Sequence, residues 1–254
     1  MDLQLRGRKA FVTGSTRGIG RAIAEKFAEE GCSVAICARS ADQVAAAAKA
    51  LEAKGAKVFA RVVDVADPRA LEAWVTDGAR ALGGLDIFVA NASGLAASVS
   101  PEEFRKGFDI DVMQVVTGVG AAVPMLEKSD AAAVVAIASI SGVEDYGYSE
   151  SAYGAMKAAL LFYMKSLSRK VAKKGIRVNA VSPGPIYFEG GFWHDVERND
   201  PEVFRSVLEQ NPMRRMGKPE EIANVAAFLA SPMASYVTGA NVVVDGGHTR
   251  RIQN

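Results

Sequence analysis

Tyr153 and Lys157 stand four residues apart in a segment, Ser151 to Lys173, that reads as a helix, so both side chains project from one face. A phenol is a poor base at its ordinary pKa of about 10. A neighbouring ammonium stabilises the phenolate, which suits such a pair to passing a proton to or from a substrate oxygen. Tyr-x-x-x-Lys spacing recurs by chance and means little alone. It gains weight from its place at the start of a helix that follows an apolar strand, Ala132 to Ala138, ending at the hydroxyl of Ser139.

A second constellation lies near the N-terminus. Thr13-Gly14-Ser15-Thr16-Arg17-Gly18-Ile19-Gly20 joins an apolar strand (Lys9 to Val12) to a segment with helical apolar spacing at Ile19, Ala22, Ile23, Phe27 and Ala28. Glycines permit a tight turn and close backbone approach, and a helix N-terminus presents free N–H groups and a favourable dipole to a pyrophosphate. Glycines alone would be a weak signal. The strand–turn–helix context points to a dinucleotide site rather than a structural turn.

The elements that must position these groups alternate. Strands are read at Ser33 to Ala38, Lys57 to Val63, Leu85 to Ala90, Ile176 to Val181 and Asn241 to Val244. Helices are read at Ala41 to Lys54, from Pro68, over about Phe104 to Leu126, and from Pro219 to Leu229; Pro183 to about Asn211 reads as irregular. The expected fold is α/β, one Rossmann-type, doubly wound parallel sheet spanning 1–254 as a single domain, with ligands beyond the carboxyl ends of its strands.

This ordered set resembles the short-chain dehydrogenase/reductase family over nearly the whole chain, and 3-oxoacyl reductases are the closest general analogy. The resemblance rests on the Thr-Gly-x-x-x-Gly-x-Gly turn, Asp64-Val65, Asn91-Ala92-Ser93-Gly94, Ser139-Ile140-Ser141-Gly142, Tyr153-Gly154-Ala155-Met156-Lys157, Asn179 with Pro183-Gly184, and Thr238-Gly239 with Asp245-Gly246-Gly247. It implies hydride transfer between a nicotinamide cofactor and a carbonyl or secondary alcohol. Tyr153 would be the acid/base, Lys157 would assist it and hold the nicotinamide ribose, and Ser139 would hydrogen-bond the substrate oxygen. It also implies that Asp64 and Val65 meet the adenine, that Asn91 lies by the adenosine ribose or is purely structural, and that Ile186, after Pro183 and Gly184, approaches the nicotinamide.

The second strand ends Ile36-Cys37-Ala38-Arg39-Ser40, without the carboxylate that receives adenosine ribose hydroxyls in NAD-preferring sites. Arg39, with Ser40 beside it, would attract a 2′-phosphate. Arg17 stands where NADP-preferring relatives carry a cation, and two guanidiniums can pair a phosphate. The expected cofactor is NADP(H). The alternative is two surface arginines, with an NAD-linked diol or hydroxysteroid dehydrogenase as the matching function.

Asp111 departs from the pattern, since it aligns with an Asn that supports a water behind the lysine in relatives. Three accounts stand open: an Asp-tuned proton relay, impaired catalysis in a cofactor-binding protein, or a register difference with Asp111 uninvolved. The expectation is retained activity.

Substrate choice is expected from 183–211, whose Tyr187, Phe188, Phe192 and Trp193 would form a lid or pack on the body, and from Gly142 to Ser151 opposite, with Tyr146 and Tyr148. His194 is expected to be incidental. A net charge of +1 offers no global attraction for nucleic acid or anionic membrane. The first residues lack the pattern of a signal peptide, and no run approaches about 18 uninterrupted apolar residues. Cys32 and Cys37 lack metal-ligand spacing and are expected to be reduced, partly buried thiols. A cytoplasmic protein is therefore expected, a homotetramer by resemblance, acting on a small molecule without a metal. Gly118 and Gly120 would serve either helix packing between subunits or the monomer core.

Overall fold

One sheet holds both the glycine turn and the tyrosine helix. In the computed structural model, which describes residues 2–96, 98–146 and 152–252, seven strands lie parallel. They are β1 (Lys9–Thr13), β2 (Ser33–Ala38), β3 (Val58–Val62), β4 (Ile87–Ala90), β5 (Ala133–Ile137), β6 (Arg177–Pro183) and β7 (Asn241–Val244). Their order across the sheet is β3-β2-β1-β4-β5-β6-β7. The chain steps outward from β1 to β3 and then returns to lay β4 beside β1. That reversal opens a crevice at the carboxyl ends of β1 and β4, as the doubly wound reading requires.

The helices are α1 (Gly18–Glu29), α2 (Ala41–Ala53), α3 (Pro68–Leu82), α4 (Pro101–Gly107), α5 (Gln114–Leu126), α6 (Ala152–Val171), α7 (Phe192–Asn199), α8 (Pro201–Gln210) and α9 (Pro219–Ala230). Both faces of the sheet are covered, which is why its central strands are continuously apolar. One face buries Phe11, Trp74 and Phe88 with α3, α5 and α6, and the rings of Phe11 and Trp74 meet edge-on at 5.4 Å. The other buries Ile23, Phe27, Ile36, Leu51 and Leu229 with α1, α2 and α9. Local signals set the helix ends: Asp67 accepts hydrogen bonds from the N–H groups of Arg69 and Ala70, Pro68 begins α3, and Gly83 closes it at φ 82°.

Two stretches differ from the sequence reading. The long helix begins at Pro101 rather than Phe104, because Ser100 caps it by accepting from Glu103 N–H. Between α4 and α5 it passes through a π-helical segment, Phe108–Met113. The segment read as irregular contains α7 and α8; Asp200 accepts from Val203 N–H and Pro201 follows, a start signal hidden among polar residues. Ser151, the expected first residue of the tyrosine helix, lies outside the described residues, as does Tyr148.

Pro101–Leu126 is long and apolar enough by length and composition to cross a membrane, yet Val115, Gly118, Val119, Ala122 and Leu126 are buried within the body. The two small residues of α5 therefore separate. A Cβ on Gly118 would lie 2.5 Å from Cζ of Phe88, whereas Gly120 is exposed and meets nothing within 4 Å. Gly118 serves the monomer core. Gly118→Ala is expected to lose about 1–3 kcal/mol through overpacking, and Gly120→Ala to gain up to about 1 kcal/mol from helix propensity. Urea unfolding checks this; equal effects would show that contact with Phe88 is not the constraint.

Candidate active site

The carboxyl edge of the sheet opens into a cleft of about 770 Å³, within the usual range for a small-molecule or cofactor site. At one end lies the glycine turn. Gly14 and Gly18 take positive φ of 61° and 53°, and a Cβ on Gly20 would fall 2.3 Å from both Gly14 O and Asn91 Nδ2. Only glycine permits that closeness. The Asn91 carboxamide donates to the carbonyls of Thr13 (2.9 Å) and Gly14 (3.0 Å), tying the end of β4 to the turn. Thr13 Oγ1 in turn accepts from the N–H groups of Asn91 and Ala92. Asn91 is thus a structural brace that also lines the cleft.

Gly14, Thr16, Arg17, Gly18, Ile19 and Gly20 line this end, with Arg39, Ser40, Asp64 and Val65 beyond β2 and β3. Ser15 is a correction. It is wholly buried, its N–H donates to Cys37 O, and its hydroxyl accepts from Cys37 N–H, so it holds the turn against β2 instead of facing the cleft. Ser40 caps α2 by accepting from Gln43 N–H, and Gln43 is a cleft residue that sequence reasoning did not single out. Arg17 and Arg39 are exposed at the rim. Arg17 donates to Gly190 O at 3.1 Å, and Arg39 makes no ion pair among the described residues. Cys32 and Cys37 are free and buried, and burial pushes both thiols up to about 12.

At the centre of the cleft the tyrosine helix meets the turn after β5. A Cβ on Gly142 would lie 2.6 Å from Lys157 C, and one on Gly154 would lie 2.9 Å from Ser141 O. These two glycines let α6 press against Ser139–Gly142, which brings Ser139, Ser141, Tyr153 and Lys157 to one cleft. Ser139 Oγ accepts from Ser141 N–H at 3.1 Å, which orients the hydroxyl. Lys157 Nζ lies 5.4 Å from the centroid of the Tyr153 ring. Pro183, Gly184 and Ile186 line the floor after β6.

Asp111 is brought directly to the lysine. Its Oδ1 stands 3.0 Å from Lys157 Nζ, and its Oδ2 accepts from Gly94 N–H at 3.0 Å. Lys157 Nζ also donates to Ile137 O at 3.0 Å. Asp111 sits in the π-helical segment, a device that re-aims side chains at functional sites. This removes the account in which Asp111 is an uninvolved register difference. Burial pulls the ammonium toward neutrality, but the charges of Tyr153 and Asp111 and the hydrogen bond that Lys157 donates to Asp111 outweigh it and raise Lys157 above its ordinary 10.5.

The segment after β6 crosses the cleft. Phe188, Phe192 and Trp193 line it, and a Cβ on Gly18 would fall 2.5 Å from Cζ of Phe188, so this ring lies over the glycine turn. Tyr187 turns away to bond Glu197 and pack on Phe204. His194 accepts from Gly190 N–H at 3.3 Å and is not a cleft residue. Tyr146 does line the cleft, and so does His248, which sequence reasoning missed. Its available signal was position, directly after the last strand whose carboxyl end borders the cleft. Among the described residues no group of three or more His, Cys, Asp or Glu is arranged to hold a metal ion.

A family model described as Enoyl-(Acyl carrier protein) reductase matches residues 14–249. An isoepoxydon dehydrogenase patN of Penicillium expansum is 41% identical over 246 residues, covering 96% of this chain and 95% of that protein. A 3-oxoacyl-(acyl-carrier-protein) reductase FabG of Staphylococcus aureus is 34% identical, covering 94% and 97%. The crystal structure of L-sorbose reductase from Gluconobacter frateurii, complexed with NADPH and L-sorbose, superposes with a TM-score of 0.91 at 33% identity, covering 99% of this chain and all of that one. The chain belongs to the short-chain dehydrogenase/reductase family of oxidoreductases.

Asp111→Asn removes one of the charges that hold Lys157 protonated and leaves the burial that opposes it. The alkaline limb of the pH–rate profile is therefore expected to move to lower pH. The pair stabilises the fold below the ordinary lysine pKa, and that contribution fades as pH rises through the higher folded value. At neutral pH the variant is expected to lose about 3 kcal/mol, as for other broken buried pairs. Superimposable pH–rate profiles of the two proteins would remove Asp111 from the proton chemistry.

Proposed function

We propose that the protein is an NADP(H)-dependent carbonyl reductase, moving hydride between nicotinamide and a carbonyl or secondary alcohol. The observation that carries this reading is that one cleft joins a glycine cradle rimmed by Arg17 and Arg39 to Tyr153, Lys157 and Ser139. The cradle fits a pyrophosphate: the turn admits no Cβ at Gly20 and opens α1 toward the cleft. When bound there, the cofactor supplies or accepts the hydride.

The remaining work falls to the protein. Ser139 and Tyr153 hold the carbonyl oxygen by hydrogen bonds, and Tyr153 delivers a proton to it as negative charge develops. Lys157, kept cationic by Asp111, stabilises the phenolate left behind. In the reverse direction Tyr153 takes the alcohol proton. Phe188, Phe192 and Trp193 shield the site from water.

Arg39, with no carboxylate partner among the described residues, and Arg17 support 2′-phosphate recognition; the NADPH bound by L-sorbose reductase agrees with this reading. Exposed Phe104, Phe108 and Phe162 on the long helix and α6 support assembly with further copies, and a homotetramer in the cytoplasm is part of the proposal.

Oxidation of NADPH and NADH across a panel of ketones, with an enoyl thioester included, tests the reading. NADPH is expected to be preferred, and Arg39→Ala to reduce that preference by about tenfold or more, the loss of roughly 1.4 kcal/mol of phosphate interaction. Wild-type preference for NADH would defeat the cofactor assignment. Reduction of the enoyl thioester ahead of every ketone would replace the carbonyl reading.

A further inference from the structure

The far end of the cleft holds a polar group that the proton chemistry does not use. Arg39 follows β2 and His248 follows β7, so they lie toward opposite ends of the sheet's carboxyl edge, with Ser139 and Tyr153 between them. The cleft that His248 lines also carries apolar side chains, among them Leu95, Phe192, Trp193 and Val207. His248 is 7% exposed, and its Nδ1 is buried with no hydrogen-bond partner among the described residues. Buried polar atoms are normally paired, so an unpaired one on a residue that lines a cavity marks a place where something else can bond.

The side chain is held there. Gly246 and Gly247 turn the chain with φ of 67° and 82° after β7, and Asp245 accepts from the N–H groups of Gly247 (2.9 Å) and Thr249 (2.7 Å). Beyond the turn, Arg250 N–H donates to Glu144 at 3.1 Å and Arg251 donates to Val143 O at 2.6 Å. The segment is thereby pinned to the wall that follows Ser139–Gly142, and the imidazole lies against Tyr146, ring centroids 5.1 Å apart. Burial lowers the affinity of the imidazole for a second proton, with Asp245 and Glu144 opposing that effect and Arg250 reinforcing it. A neutral imidazole offers one donor and one acceptor, which suits an uncharged oxygen function.

We propose that His248 is a specificity-determining residue that binds a second oxygen of the substrate, a hydroxyl or carbonyl remote from the reacting carbonyl. The favoured substrates are then oxygenated ketones rather than purely hydrocarbon ones, with the body of the molecule against the apolar wall. A site built to hydrogen-bond a substrate hydroxyl discriminates strongly against the analogue without it. This inference rests on the reductase reading.

The test compares kcat/KM for cyclohexanone with that for 3-hydroxycyclohexanone, 4-hydroxycyclohexanone and 1,4-cyclohexanedione, using NADPH, in wild type, His248→Phe and His248→Asn. NADPH affinity, read by fluorescence in each variant, reports whether the cleft is intact. Wild type is expected to favour at least one oxygenated ketone by tenfold or more, chiefly through KM. That ratio should fall toward one in His248→Phe and return in part in His248→Asn, whose carboxamide also offers a donor and an acceptor. A wild-type ratio near one, or a ratio unchanged in His248→Phe with NADPH affinity retained, would overturn the proposal while leaving the reductase reading standing. Absence of turnover with every ketone would instead defeat the reductase reading, and this inference with it.

Discussion

A lysine ammonium with a side chain only 2% exposed must have a counter-charge, and Asp111 provides it at 3.0 Å. Much of the site depends on that pair. Lys157 comes from α6, Asp111 from the π-helical segment between α4 and α5, the carbonyl of Ile137 from the end of β5, and the N–H of Gly94 from the loop after β4. Four parts of the chain therefore converge on one buried charge. In the proposed reaction the same charge would hold Tyr153 ready to exchange a proton, because an ammonium beside a phenol favours the phenolate that forms when the proton leaves. A carboxylate at position 111 keeps the lysine cationic and also competes with the phenolate for its field. The balance between those two effects is what distinguishes this site from one built with a neutral amide.

The sheet explains why binding and chemistry share a single cleft. Reversal of strand order at β1 and β4 leaves the glycine turn on one side of the crevice and the Ser139–Gly142 turn on the other. Close approaches then set the fine positions: Gly20 against Gly14 at one end, Gly142 and Gly154 at the α6 contact. The aromatic segment after β6 lies along the cleft, with Phe188 over the glycine turn and Phe192 and Trp193 among the lining residues.

Local sequence patterns made most of this visible. The glycine spacing, the strand-ending Ser139 and the Tyr153–Lys157 pair all come to the cleft, because each belongs to a short element whose geometry is set by its own residues. What escaped depended on tertiary contact. The π-helical turn cannot be read from Phe108 to Met113, whose composition suits an ordinary helix, so the direct pairing of Asp111 with Lys157 emerged only in three dimensions. Ser15 sits inside the right motif yet faces β2, since its backbone and hydroxyl are both used by Cys37. Helices α7 and α8 were masked by charged residues, and His248 by its isolation, as a single imidazole with no motif around it.

In the proposed reaction Tyr153 is the group that exchanges the proton, poised by a lysine that Asp111 keeps charged. NADPH affinity and single-turnover ketone reduction, measured together for Tyr153→Phe, test that role. Loss of one hydroxyl should leave cofactor affinity within a few-fold of wild type and slow reduction by about 10² or more, the scale of general acid catalysis. Reduction within a few-fold of the wild-type rate would contradict the account.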